Sequence, residues 1–97
     1  MSRGAVYGTR VHTAFEAEVR ALGNSSLKTE MSYLNGRLVN RGTLNSVRLD
    51  VVEGPLTSPT AIYDLKTGSA TLTPTRILEI QSHIPGGNNV PVIEVRP

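Results

Sequence analysis

Apolar residues recur at helical spacing near the start of the chain. Val11, Ala14, Phe15, Val19 and Leu22 fall at i, i+3, i+4, i+8 and i+11, which predicts a helix from Thr9, with Thr9 as its cap and Gly23-Asn24 as its stop. The stretch from Met1 to Gly8, with two glycines, reads as a loose lead-in. Leu27 to Tyr33 alternates loosely, as a first strand does. Asn35-Gly36 is a strong two-residue hairpin turn into a short return strand at Leu38 and Val39, followed by a loop at Arg41-Gly42-Thr43.

Two further strands are predicted, Ser46 to Glu53 and Ala61 to Lys66, joined through a turn with two prolines. Strict alternation puts Val47, Leu49 and Val51 on one face of the first and Arg48, Asp50 and Val52 on the other. On the second, Ile62, Asp64 and Lys66 share a face, and Ala61, Tyr63 and Leu65 take the opposite one. Paired as a hairpin, these strands can bring Asp50 and Asp64 together, in a register that periodicity alone does not fix. Gly68 to Leu72 is a connection. Thr73-Pro74 is a helix start, with Thr as cap and Pro at the first position. That helix runs to about His83 with Ile77, Leu78, Ile80 and Ile84 as its apolar positions, and Pro85-Gly86-Gly87 ends it. Val90 to Val95 is a last strand. This order predicts an α/β domain, a single mixed sheet with a helix packed on each side.

Composition narrows the picture slightly. The 97 residues make one domain, near the low end of what can bury its own core. Aromatics are 4%, so the core rests on Val, Leu, Ile and Ala, with Tyr33 and Tyr63 as core or hairpin packing. Without Cys there is no disulfide framework and no thiolate metal site. A net charge of +2 suits a nucleic-acid partner without requiring one. No apolar run approaches the ~20 residues of a membrane span. The N-terminus lacks the apolar stretch of a signal peptide, so an export address would lie elsewhere, on a longer parent chain.

Acids on strands that ought to be buried change the picture more. Asp50, and Asp64 with Lys66 two residues on, are expensive charges for a small core. A divalent metal and a phosphodiester explain them. Mg²⁺ takes hard oxygen ligands and keeps several waters. It polarises a phosphoryl oxygen and acidifies a bound water. Asp50 and Asp64 can supply two carboxylates and the backbone carbonyl of Leu65 a third ligand, while Lys66 positions the water or stabilises developing charge. Arg48 shares the Asp50 face and suits phosphate. Which of Arg10, Arg20, Lys28, Arg37, Arg41 and Arg76 join it stays open. The plainer account is a solvated strand face with an ion pair across it, worth ~0–1 kcal/mol. The apolar neighbours Val52 and Ile62 argue against full solvation.

Asp50, thirteen intervening residues and then Asp64-Leu65-Lys66 resembles the signature of the PD-(D/E)xK, restriction-endonuclease-like nucleases, with Leu49 where Pro usually stands. The resemblance implies an α-β-β-β-α-β core and a further acid on the leading helix, at Glu16 or Glu18, with Glu18 better read as an exposed helix position. Glu30 on the first strand is the rival for that third acid. Gln81 on the second helix is either an approach to the site or a plain surface residue. His12, one turn before Glu16, is either a phosphate or water contact or a helix-surface histidine.

The stretches Gly8 to Phe15, Ser46 to Gly54, Tyr63 to Gly68, Leu72-Thr73-Pro74 and Val90 to Pro97 further resemble C-terminal toxin domains of bacterial polymorphic toxins, of the Rhs, contact-dependent-inhibition and type VI effector kinds. That resemblance implies a Mg²⁺- or Mn²⁺-dependent DNase at the tip of a longer secreted effector. Such a domain acts in the cytoplasm of a competitor bacterium, and a cognate immunity protein protects the producer. An RNase acting on tRNA uses the same metal chemistry. A non-catalytic binding module is the reading from a different class.

Overall fold

The structure is a computed structural model that describes the backbone of residues 3–97 and the side chains from Arg10 onward. Helix α1 spans Arg3–Ala21. The expected lead-in is therefore corrected. Met1 and Ser2 lie outside the described residues, but residues 3–8 are helical and Thr9 sits inside the helix rather than at its cap. A helical glycine costs about 1 kcal/mol relative to alanine without forbidding the helix, and no proline interrupts the segment. Val11, Phe15 and Val19 are half-buried, whereas Ala14 is exposed and Leu22, beyond the last turn, is 71% exposed.

Strands β1 (Leu27–Leu34) and β2 (Arg37–Val39) form the predicted hairpin. Asn35 and Gly36 take φ of 51° and 83°, the paired positive values that a tight hairpin turn requires. Strands β3 (Val47–Glu53) and β4 (Ala61–Leu65) follow, each one residue shorter than predicted, and then helix α2 (Pro74–His83). The Thr73 hydroxyl accepts the Arg76 N–H at 3.2 Å, so the predicted cap is present. A 3₁₀ turn at Gly87–Asn89 delays the last strand, β5, to Val92–Val95.

The molecule is α/β, with one five-stranded sheet ordered β2-β1-β3-β4-β5. All neighbours are antiparallel except β4 and β5, whose parallel pairing follows from the crossover through α2. One buried cluster joins Tyr33, Val47, Leu49, Val52 and Ile62 of the sheet to Ile80 of α2, to Ile84 just past its end and to Val90. The Tyr33 hydroxyl is satisfied there by the Leu56 carbonyl at 2.7 Å. No described α1 side chain belongs to this cluster. Phe15 and Val19 of α1 instead flank a gap with Leu27, Val51, Tyr63 and Val95. Neighbouring positions such as Val51 and Val52 thus face different helices, and α1 and α2 cover opposite faces. Leu78, one of the apolar positions of α2, is 64% exposed.

The face assignment along β3 also needs correction. Val52, not Val51, joins Val47 and Leu49 in the α2-side cluster, so alternation slips by one residue between Leu49 and Val52. The ladder shows where. Rungs between β1 and β3 include Thr29↔Val51 and Met31↔Leu49 but skip Glu30 and Asp50. Rungs between β3 and β4 stop at Val51↔Tyr63, one step before Asp50 and Asp64 would meet. Glu30 has φ of 56°, a left-handed conformation that L residues adopt at a cost of roughly 1–2 kcal/mol. The fault in the sheet is therefore centred on Asp50, unladdered on both sides.

Beyond β3, Gly54 has φ of 89°, and a Cβ there would lie 2.9 Å from the Thr60 hydroxyl oxygen and 3.1 Å from its backbone nitrogen. Gly54→Ala is expected to destabilise the fold by about 1–3 kcal/mol, read as a lowered midpoint in urea with an unchanged slope. A midpoint equal to wild type would contradict this geometry.

Candidate functional site

Where β3 and β4 part, two backbone groups of Leu65 lose their ladder partners. Lys66 N–H still reaches across to the Val95 carbonyl at 3.0 Å, on the β5 side. On the β3 side, side chains replace the missing strand. The Leu65 N–H donates to Asp50 Oδ2 at 2.8 Å, and His12 Nε2 of α1 donates to the Leu65 carbonyl at 2.9 Å. His12 Nε2 also lies 3.7 Å from Asp50 Oδ2. Asp50 is thus held against β4 and α1 at once.

The same parting opens a cavity of about 500 Å³ that is reached by His12 and Glu16 of α1 and by Arg76 of α2. Asp50, Asp64 and Lys66 all line it, together with Leu65. Asp64 is only 8% exposed, and Lys66 Nζ stands 3.0 Å from its Oδ2. That approach is close enough for an ion pair yet off the hydrogen-bond axis, so Asp64 Oδ2 is buried without a hydrogen bond. A buried carboxylate oxygen in that state retains a lone pair for another partner.

Glu16 and Glu30, between which the sequence left the third acid open, both line this cavity. Glu16 is 8% exposed although it stands on a surface helix. Burial first, then the charge of Glu30 and a hydrogen bond with it, and then Asp50, push its carboxyl above the ordinary glutamate range, with Arg20 opposing weakly. Asp50 is likewise raised, chiefly by burial and further by Asp64, against the lowering effect of the Leu65 N–H and His12. Arg41 Nη1 lies 4.0 Å from Glu30. Four permanent cations, Arg41, Arg48, Lys66 and Arg76, line the cavity with the four acids, Glu16, Glu30, Asp50 and Asp64. Such a mixture suits a phosphate group approaching a cation held by carboxylates.

Other expected residues have partners of their own. Gln81 donates to the Val90 carbonyl at 2.9 Å and does not line the cavity. The Leu65 carbonyl, expected as a third ligand, already accepts from His12 and keeps one lone pair. His12 is half-buried and central to the site rather than an ordinary surface histidine. Its spacing of four residues from Glu16 is the signal that links the two, since i and i+4 share a helix face. Arg41 and Arg76 come into the cavity through tertiary structure. Among the described residues, no three His, Asp or Glu side chains are gathered as the ligands of one ion.

No helix among the described residues is long and apolar enough to cross a membrane. Comparison of the chain with protein-family models, curated proteins and solved structures returns no match.

Because the Glu16 carboxyl is raised on folding, the stability it contributes is complete below the ordinary glutamate range and lost as pH rises through the raised value. Glu16→Gln, which mimics the protonated acid, should raise the melting temperature at pH 7, by roughly 4–8 °C for each kcal/mol of repulsion relieved. The gain should shrink as pH falls through the raised value and vanish below the ordinary glutamate range. Scanning calorimetry across that range checks the sign, and a lowered melting temperature at pH 7 would refute it.

Proposed function

We propose that this chain is a metal-dependent phosphodiesterase, a nuclease acting on DNA, built on a restriction-endonuclease-like core. The observation that carries the reading is the convergence of Asp50, Asp64 and Lys66 on one cavity at the parting of two strands. Setting the short β2 aside, the elements run α-β-β-β-α-β, the order that the resemblance implies. Glu16 supplies an acid from the leading helix at the same cavity.

The donor set fits Mg²⁺ or Mn²⁺. Every candidate ligand is a hard oxygen, and Asp64 Oδ2 is buried without a hydrogen bond. Asp50, Asp64 and the second lone pair of the Leu65 carbonyl would hold the ion. When bound, such a cation polarises the phosphoryl oxygen and lowers the pKa of a coordinated water. The protein's own groups do the rest. Asp50 is fixed by the Leu65 N–H, so its other oxygen is presented to the cavity without further ordering. Lys66, drawn to Asp64 at 3.0 Å, is placed to meet charge developing on the phosphoryl oxygens. Arg48, on β3 two residues before Asp50, is placed to take a neighbouring phosphate. On the strength of the sequence resemblance, the biological role is that of a toxin domain of a secreted effector. It acts in the cytoplasm of a competitor bacterium, and a cognate immunity protein restrains it.

Purified protein is expected to degrade plasmid DNA with Mg²⁺ and to stop with EDTA, while total RNA incubated alongside is spared. Asp64→Asn and Lys66→Ala should each lose about 10²-fold or more in rate while retaining a cooperative melt. Calorimetric titration with Mn²⁺ should show binding to wild type and little to Asp50→Asn. Undiminished cleavage by Asp64→Asn would sink the assignment, and preferential loss of RNA would move it to a ribonuclease.

A further inference from the structure

The wall of the cavity between β4 and α2 is a loop without a core of its own. Thr67 and Ala70 of this loop line the cavity, yet residues 68–71 are exposed and none from 67 to 72 belongs to the buried core. An exposed segment of this kind keeps one conformation only through its hydrogen bonds.

Those bonds come largely from β5. Glu94, which pairs with Asp64 in the parallel ladder, accepts the Leu72 N–H on Oε1 at 2.7 Å. Its Oε2 accepts from Arg96 Nε at 3.0 Å. The two remaining guanidinium nitrogens of Arg96 donate to the loop carbonyls, Nη1 to Gly68 at 2.9 Å and Nη2 to Ala70. One carboxylate and one guanidinium thus tie three backbone groups of the loop to the strand beside Asp64. A lone exposed ion pair orders little, but a planar guanidinium with three donors engaged in fixed directions orders the groups that it joins.

We propose that Arg96, held by Glu94, is a positioning residue that fixes the cavity wall from Thr67 to Leu72. Lys66 is anchored independently, by its N–H to Val95 and its ammonium to Asp64. Loss of the clamp therefore loosens the wall and leaves the reacting groups in place. A loosened wall must be ordered when substrate binds, so the penalty falls on binding rather than on the chemical step. The consequence for substrate rests on the nuclease reading above, whereas the fixing of the loop does not.

The test measures amide hydrogen exchange by NMR and steady-state DNA cleavage for wild type, Arg96→Ala and Arg96→Lys. In Arg96→Ala, the Ala70 and Leu72 amides should exchange at least tenfold faster while those of Val52 and Ile62 are unchanged. KM should rise at least fivefold, with kcat within twofold of wild type. Arg96→Lys, which keeps the charge but has no guanidinium fork, should fall between. Unchanged exchange at Ala70 and Leu72 would overturn the proposal, as would faster exchange with wild-type KM. If wild type cuts no nucleic acid, the nuclease reading fails, and the exchange data alone decide the clamp.

Discussion

The Leu65 peptide, gripped by Asp50 at its N–H and by His12 at its carbonyl, is the contact on which the site depends. Two strands of a sheet cannot part in a protein interior without stranding backbone donors and acceptors, and each stranded group carries a penalty of about 1–3 kcal/mol. Here the strands part because side chains take over the ladder. That substitution opens the cavity and orients Asp50, and it brings α1 into the site. An acid, a peptide and an imidazole settle a problem of backbone bonding, and the product is a pocket with its carboxylates already aimed.

The acids are held at the expense of stability. Glu16 is buried beside Glu30, close enough to share a hydrogen bond, and both it and Asp50 are biased toward the protonated form. Glu30 adds a left-handed backbone. Strain and like charge are thus gathered at one point in an otherwise regular sheet, where an opposite charge would relieve them.

Much of this was legible in the residues, and the losses have physical reasons. Asn35-Gly36 and Thr73-Pro74 act locally, through dihedral preference and capping, so the hairpin and α2 could be read directly. The spacing of Asp50, Asp64 and Lys66 survived because an antiparallel hairpin was the simplest pairing of two adjacent strands. The faces of β3 could not be read, since the slip in alternation arises where Glu30 adopts a conformation that glutamate does not advertise. Nor could the start of α1, whose glycines weaken a helix without ending it. The Arg96 fork was invisible for another reason. It joins residues 26 and 28 positions apart, and no periodicity reports such a contact.

Helix α1 gives His12 and Glu16 to the cavity but no described side chain to the cluster that binds the sheet to α2. Its docking and the integrity of that cluster are separable in free energy, and the smaller of the two sets the first event on warming or in mild denaturant. Cavity and core then fail in sequence. Where α1 docking is the smaller, the helix lifts away, Leu65 loses its imidazole partner and Glu16 returns to water, while the sheet and α2 still hold together. A molecule in that state looks native to probes of its core while its cavity has lost the α1 wall.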